Sequence, residues 1–368
     1  MIEIRSFNAG ALRDFINSKE FIHLSNVPIT MHRAISQLHN PRLDDDDIIL
    51  IVAYTGAELI GYVGILPDQI FLKDGSTLKC GWLTALWVSP DARGQGIGLR
   101  LIDGALEKWQ DKILSADYVT FTKKLYDKTG KFLPEPLTKT GVRWYIRADL
   151  AQILSVKHSF FRKIRSSLKV IDRITNLFID QKLKWTKLSE IIYDYEYPQF
   201  PDEETAHWIS TSNQKELFQR NAGDISWILH YPWVLSGLVR NESDQKYYFS
   251  SVAHIFEYKM VKIRSSDGSL IALLLFSLRN GSLKLPYYWT TDENECIVEA
   301  VRHHILKWSV NTFTTYDSSL SQLMSDKRNP GYLTRTVTRN YMISKTIQSI
   351  IEVKPKEIRD GDGDCVFT

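Results

Sequence analysis

The spacing of apolar positions changes period several times along the chain, and each change marks an element. Ile2-Glu3-Ile4 alternates as a short strand, and from Ala9 onward Leu12, Phe15 and Ile16 recur at helical spacing. Met31–Leu38 reads as a second helical stretch, stopped by Asn40-Pro41. Ile48–Tyr54 and Leu59–Leu66 are β-branched apolar runs, and Thr55-Gly56-Ala57-Glu58 between them signals a hairpin. Trp82–Val88 is a further buried strand, ending at Ser89-Pro90. A glycine-rich turn and a helix reaching Trp109 come next, and Tyr118–Thr122 and Arg143–Leu150 are expected to add two more strands.

Residues 155–185 follow a different pattern. Val156, Phe160, Ile164, Leu168, Ile171, Ile174 and Phe178 recur every three or four positions with basic residues between them, which predicts one long amphipathic helix. Beyond about residue 189 the mixed pattern resumes, with strands over Tyr258–Arg264, Leu270–Leu278 and Leu283–Trp289, a helix over Asn294–Trp308 and a strand at Thr312–Tyr316. Asn280-Gly281 between two apolar runs predicts a type I′ hairpin. The fold class expected is α/β with mixed sheets (α+β). The expected division is a domain over 1–150, a basic helical connector over 151–188 and a second domain over 189–368.

Composition narrows the class. Hydrophobic residues make up 43% of the 368 and charged residues 24%, a balance that excludes disordered, collagen-like and disulfide-scaffold chains. The net charge is only +3, yet nine Lys/Arg and two Asp/Glu fall within Ser155–Lys187, a basic belt between two mildly acidic blocks. No apolar run approaches the roughly 18–20 residues that cross a bilayer. Met1-Ile2-Glu3-Ile4-Arg5 lacks the basic and apolar regions of a secretory signal. Cys80, Cys296 and Cys365 are far apart with no CxxC spacing, which argues against a disulfide framework or a zinc site and for a cytoplasmic setting. Nucleic acid is not an expected partner.

The informative chemistry lies in Leu86-Trp87-Val88-Ser89-Pro90-Asp91-Ala92-Arg93-Gly94-Gln95-Gly96-Ile97-Gly98. A buried strand feeds a glycine-rich turn that opens directly into a helix, whose unpaired amides and positive dipole end favour an anion. A Walker A loop needs Gly-Lys-Ser/Thr, which Gly98-Leu99-Arg100 does not provide. A dinucleotide fingerprint needs GxGxxG and an acidic residue ending the next strand, whereas here the glycines run GxGxG and Asp117 precedes its expected strand. The remaining form, Arg/Gln-x-x-Gly-x-Gly, is met by Arg93 to Gly98.

With that loop, its preceding strand and the order of elements around it, the chain resembles the GNAT superfamily of acyl-CoA N-acyltransferases over about residues 1–150. Leu125-Tyr126-Asp127-Lys128-Thr129-Gly130-Lys131-Phe132 is similar to a second stretch of that family. The resemblance implies acetyl transfer from acetyl-CoA to an amine of a small molecule or peptide, with no metal. It assigns the pyrophosphate to the amides of Gly94, Gln95, Gly96, Ile97 and Gly98 with Arg93 nearby, the pantetheine arm to the backbone of Trp87 and Val88, and the general acid to Tyr126. Two departures stand out. The segment between the expected strand Tyr118–Thr122 and Tyr126 is short, and Trp82-Leu83-Thr84-Ala85 carries no carboxylate to act as base. A base then has to be a water chain or a residue from elsewhere in the fold.

The second half repeats the order of the first. Leu59, Leu78 and Trp109 correspond to Leu270, Leu283 and Trp308, with the later span shorter by six residues where the first half carries its glycine loop. A second GNAT-like domain that lacks the pyrophosphate loop is therefore expected, joined to the first by the basic helix. Its aromatic residues, Trp208, Trp227, Trp233, Tyr287, Tyr288 and Trp289, suit either a core or acceptor-side walls. Two rival readings stay open: a non-catalytic acyl-CoA-binding scaffold, and an acyltransferase working at a membrane surface on a lipid-linked substrate. For the basic helix, packing between two cores is preferred over lying on anionic lipid. Asp44–Asp47 reads as a solvated turn, Asp360–Asp364 as a polar loop without the later glutamate of a calcium site, and His303-His304 cannot share one helix face.

Overall fold

The structure is a computed structural model and describes residues 1–116, 118–151, 154, 159–185, 193–211, 216–239, 245–290, 295–326 and 330–368. In chain order the first elements are β1 (Ile2–Phe7), α1 (Ala9–Ile16), α2 (Lys19–His23), α3 (Met31–Leu38), β2 (Leu50–Thr55), β3 (Glu58–Phe71), β4 (Thr77–Val88), α4 (Ile97–Lys108), β5 (Ile113–Ala116) and α5 (Thr120–Thr129). There follow β6 (Leu137–Tyr145), α6 (Ser159–Lys163), α7 (Arg165–Trp185), β7 (Asp194–Glu196), α8 (Glu203–Thr211), α9 (Ala222–His230), β8 (Leu235–Ser236) and β9 (Val252–Ala253). The last are β10 (Phe256–Arg264), β11 (Leu270–Arg279), β12 (Ser282–Thr290), α10 (Glu295–Lys307), β13 (Thr312–Thr315), α11 (Ser318–Asp326), β14 (Leu333–Ile343) and α12 (Lys345–Ile350).

These elements form two compact units. One gathers Met1–Lys139, Phe200–His254 and Arg339–Thr368, and the other Thr140–Gln199 and Ile255–Thr338. The units therefore do not follow the sequential boundaries at 150 and 189, because two later stretches of chain complete the first unit.

In the first unit the strands run β1-β2-β3-β4-β5-β14, all neighbours antiparallel except the parallel pair β4–β5. Alternate residues of β2 serve two cores, which is why its sequence is apolar throughout. Ile51 and Ala53 pack with Ile97, Leu101, Ile102 and Ala105 of α4, whereas Leu50, Val52 and Tyr54 pack with Leu12, Phe15, Ile16 and Ala34 of α1 and α3. The first three helices are each capped by a side chain, Asn8, Ser18 or Thr30, that accepts from a backbone amide three residues on.

The strand expected at Tyr118–Thr122 lies earlier, at Ile113–Ala116. Ile113 and Leu114 are fully buried against β4 and β14, while Val119 and Phe121 face solvent at the start of α5. The strand expected at Arg143–Leu150 is β6, which ends at Tyr145. Beyond it the backbone finds side-chain partners instead of a ladder: Ala148 N–H donates to Asn176, and the Leu150 and Ala151 amides donate to Asp172.

The second unit orders its strands β6-β13-β12-β11-β10-β7. Its antiparallel run β10-β11-β12, followed by α10 and by β13 parallel to β12, repeats the arrangement β2-β3-β4-α4-β5. Asn280 and Gly281 take φ of +48° and +81°, the type I′ conformation that their sequence predicts. The turn before α10, residues 291–294, lies outside the described residues.

The basic amphipathic segment is two helices, α6 and α7, both within the second unit; Val156 lies outside the described residues. Its orientation departs from the packing expected between cores. Leu168 is buried, but Ile171, Ile174 and Phe178 are exposed, and α7 attaches through Asp172, Asn176 and Asp180 instead. These polar groups satisfy the 147–151 backbone and Arg147, so the polar face is the inward one. Among the described residues no helix is long and apolar enough to cross a membrane.

Candidate active site

The site is built where β4 leaves the sheet. Pairing of β4 with β5 covers Gly81 to Leu83 only, while β4 runs on to Val88. Among the described residues no strand pairs with this side of β4 from Thr84 to Val88, so it continues past β5 as a row of backbone donors and acceptors. On the other side the β3–β4 register shifts between Gly64–Thr84 and Tyr62–Trp87, and Ala85 sits at φ +52°. Such a bulge twists a strand and re-aims its side chains.

A short turn over Pro90–Ala92 leads from β4 into the loop. Gly94 and Gly96 adopt φ of +83° and +76°, and a Cβ at either would meet nothing within 4 Å. Glycine is needed there for backbone conformation and not for packing. Gly96 is the N-cap of α4 and brings no side-chain cap, so the first amides of the helix are left for another acceptor. Gly98 faces Leu125, whose Cδ1 lies 2.9 Å from where a Cβ would stand, and the Ile97 side chain is buried in the core. Arg93 and Gln95 are exposed. The structure thus gathers Trp87, Val88 and Arg93 to Gly98 along one strand edge and the loop that follows it.

Tyr126 lies elsewhere on the same seam. It belongs to α5, a ten-residue helix, so the short approach expected from a strand at Tyr118–Thr122 does not arise. Its side chain is only 2% exposed, and its hydroxyl donates to Ser115 Oγ at 2.8 Å. Ser115 is paired with Leu83, the last residue at which β4 and β5 meet before they part. Tyr118 and Phe132 pack on its ring, and burial raises its pKa.

Trp87 faces a cavity of about 1330 Å³, whose walls include Phe21, Val27, Tyr62, Leu238, Tyr247 and Tyr248. Trp87 stacks on Tyr62 at 5.3 Å, and Tyr248 approaches it at 6.2 Å. Sequence reasoning missed Arg33 beneath these rings. Its guanidinium donates to Thr84 Oγ1 at 2.8 Å and to the Tyr247 hydroxyl at 2.7 Å, and it lies 3.8 Å from the ring centre of Trp233. No local signal marks Arg33, since its partners stand 51 and 214 residues away. Of the aromatic residues noted in the second half, Trp227 and Trp233 belong to this first unit, whereas Tyr287, Tyr288 and Trp289 belong to β12 of the second.

One carboxylate does approach β4. Asp68 of β3 accepts from Trp82 Nε1 at 3.0 Å, and it is also held by Arg42 and by Arg220 at 2.8 Å. Burial opposes its charge, but the two guanidinium groups outweigh that and keep its carboxyl below the ordinary range. A carboxylate tied to two arginines and an indole has little basicity left, so Asp68 is a structural tie. Arg42 also pairs with Asp224 at 2.8 Å, which joins segments far apart in the chain. Elsewhere, Lys79 pairs with Asp44 and Asp47, and Asp360 pairs with Lys139, so each acidic run is tied to a lysine distant in the chain.

Residues 13–130 match the Acetyltransferase (GNAT) family. No curated protein matches the chain. Among solved structures, a GCN5-related N-acetyltransferase from Anabaena variabilis is similar at 12% identity and a TM-score of 0.51, over 93% of this chain and 72% of that one. A probable N-acyltransferase from Enterococcus faecalis is similar at 11% identity and 0.52, over 94% and 72%. The N-myristoyltransferase of Saccharomyces cerevisiae, solved with myristoyl-CoA, is similar at 11% identity and 0.51, over 96% and 84%. At such identities the likeness is one of fold. The strand, glycine loop and helix that form the seam lie inside the matched stretch, and this chain carries a domain of the GNAT acetyltransferase family.

Proposed function

We propose that the chain is an acyl-CoA-dependent N-acyltransferase that moves an acetyl group from acetyl-CoA to a primary amine of a small molecule. The observation that carries this reading is the continuity of the open β4 edge with an uncapped loop of two left-handed glycines. A pantetheine arm would add to the backbone of Trp87 and Val88 as a further strand. The pyrophosphate would rest on the amides of Gly94 to Gly98, with Arg93 as a nearby countercharge. The aromatic cavity beside Trp87 would take the body of the acceptor, which suits an amine on an apolar or aromatic frame. Three buried free thiols fit a reducing, cytoplasmic setting.

In the reaction, the amine lone pair attacks the thioester carbonyl carbon, the C–S bond breaks, and the leaving thiolate takes a proton. Tyr126 is the proposed donor. Ser115 accepts its hydroxyl proton in a hydrogen bond at the point where β4 and β5 part, which fixes the direction of the phenol. The amine proton passes to water, and the tyrosinate left at Tyr126 takes a proton back from water, so the side chain returns to its starting form. The second unit, with no glycine in its sequence between β12 and α10, is proposed to bind no CoA.

The test measures CoA release over a panel of amines for the wild type and Tyr126→Phe, alongside calorimetry with acetyl-CoA. Turnover on at least one amine is expected, falling about 10²–10⁴-fold in the variant, with one CoA site per chain. Tight CoA binding without turnover on any amine would replace this reading with a non-catalytic acyl-CoA-binding protein.

A further inference from the structure

Helix α7 is built inside out for a surface helix of a globular protein. Its buried side carries Leu168 and Asp172, with Asn176 and Asp180 also turned to the 147–151 segment by hydrogen bonds and an ion pair. Its opposite side carries Val170, Ile171, Ile174, Leu177 and Phe178, which are 55%, 49%, 52%, 66% and 74% exposed. Spaced at i, i+1, i+4, i+7 and i+8, these five residues form one continuous apolar stripe. Phe160 on α6 adds another ring at 63% exposure. Scattered apolar residues on a surface need no explanation, but a stripe of this length marks a contact face.

The charges say what the face contacts. Both acidic residues of α7, Asp172 and Asp180, are drawn to the inward side, where they accept from backbone amides and Arg147. Lys169 and Arg173, one turn apart on the flank of the stripe, are exposed, as are Lys163 and Arg165 at its start. An apolar stripe flanked by basic residues, with its carboxylates turned away, complements the headgroup boundary of an anionic bilayer. We propose that α6 and α7 form a docking surface for an anionic phospholipid membrane, with the stripe inserted at the headgroup level and Lys169 and Arg173 on the phosphates. The contact is peripheral and reversible, since one short apolar stripe and a few cations anchor only together. This surface is independent of the acyl-transfer reading.

The test pellets the full chain with vesicles of phosphatidylcholine alone or mixed with phosphatidylglycerol, at low and high salt. The wild type is expected on the mixed vesicles at low salt, with at least tenfold weaker partitioning on phosphatidylcholine alone and at high salt. The combined variant Ile174→Ser, Leu177→Ser, Phe178→Ser is expected to stay in solution. The charge reversal Lys169→Glu, Arg173→Glu, at exposed positions, gives the same loss by a second route. An unchanged thermal midpoint confirms that both variants are folded. Failure of the wild type to bind mixed vesicles, or equal binding to neutral ones, overturns the proposal. So does a concentration-dependent dimer in sedimentation velocity that the serine variant abolishes, which would assign the stripe to a second copy of the chain.

Discussion

Two buried titratable residues, one in each unit, give the molecule opposing responses to pH. His304 is buried in the second unit, where its Nδ1–H donates to Ala300 O at 2.6 Å and its Nε2 accepts from the Tyr197 hydroxyl at 3.0 Å. Burial lowers its pKa from the ordinary 6.5 to about 3. Between those values the unfolded chain holds the extra proton, so the stability that His304 contributes is complete above pH 6.5 and is lost as the pH falls below it. Asp362, in the first unit, runs the other way. Burial pushes its carboxyl from 3.8 up to about 6, against the pull of Arg220. Here the folded chain holds the extra proton, so the stability that Asp362 contributes is complete below pH 3.8 and is lost as the pH rises through 6. Denaturant unfolding against pH tests both. Relative to His304→Asn the wild type should gain stability from pH 4 to 6.5, and relative to Asp362→Asn it should lose stability from pH 4 to 6. Parallel curves for wild type and variant would remove the residue's assigned role.

At the scale of the element, the bulge at Ala85 and the loop at Gly94 and Gly96 act together. The first turns β4 away from its neighbour, and the second presents the amides of α4 at the end of the freed edge. Gly96→Ala places a Cβ in open space, so no clash accompanies it, and the effect isolates backbone conformation. A left-handed alanine costs about 1–2 kcal/mol. The expected outcome is CoA affinity reduced by about tenfold, read by calorimetry, with the core of the first unit intact by near-ultraviolet dichroism. Retained affinity would separate the pyrophosphate from this loop. Gly98→Ala would act by another route, because Leu125 stands in the way of its Cβ.

At the scale of the molecule, the first unit closes only with late segments of the chain. Its sheet takes Tyr341–Ile343 of β14 beside β5, its ion network takes Arg220, Asp224 and Asp362, and its cavity takes Tyr247 and Tyr248. Arg42, Arg33 and Asp68 would each lose buried partners if those segments were removed, at several kcal/mol for the network alone. A fragment of residues 1–150 is therefore expected to show no cooperative thermal transition, whereas the full chain unfolds cooperatively. A fragment that melts sharply and binds CoA would show that residues 1–150 suffice.

Local features of the sequence carried a great deal. The hairpin turns at Gly56 and Asn280-Gly281, the end of β4 at Val88, the glycine loop and helix α4 are set by backbone conformation and by periodicity within a few residues and lie where the pattern predicts them, although β4 begins at Thr77, five residues before its expected start. The strand β5 was misplaced because a run as short as Ile113-Leu114 gains its identity from the strands beside it and not from its own period. The orientation of α7 was also beyond the pattern: the stripe is plain in the sequence, but which side faces the protein depends on Asp172, Asn176 and Asp180 finding the 147–151 backbone. The wall of the cavity and Arg33 beneath it were decided by tertiary structure alone, because Thr84, Tyr247 and Trp233 lie far from Arg33 in sequence and only folding brings them to it. Sequence settles what a backbone does over a few residues; burial of charge and the facing of surfaces depend on partners that only the folded chain supplies.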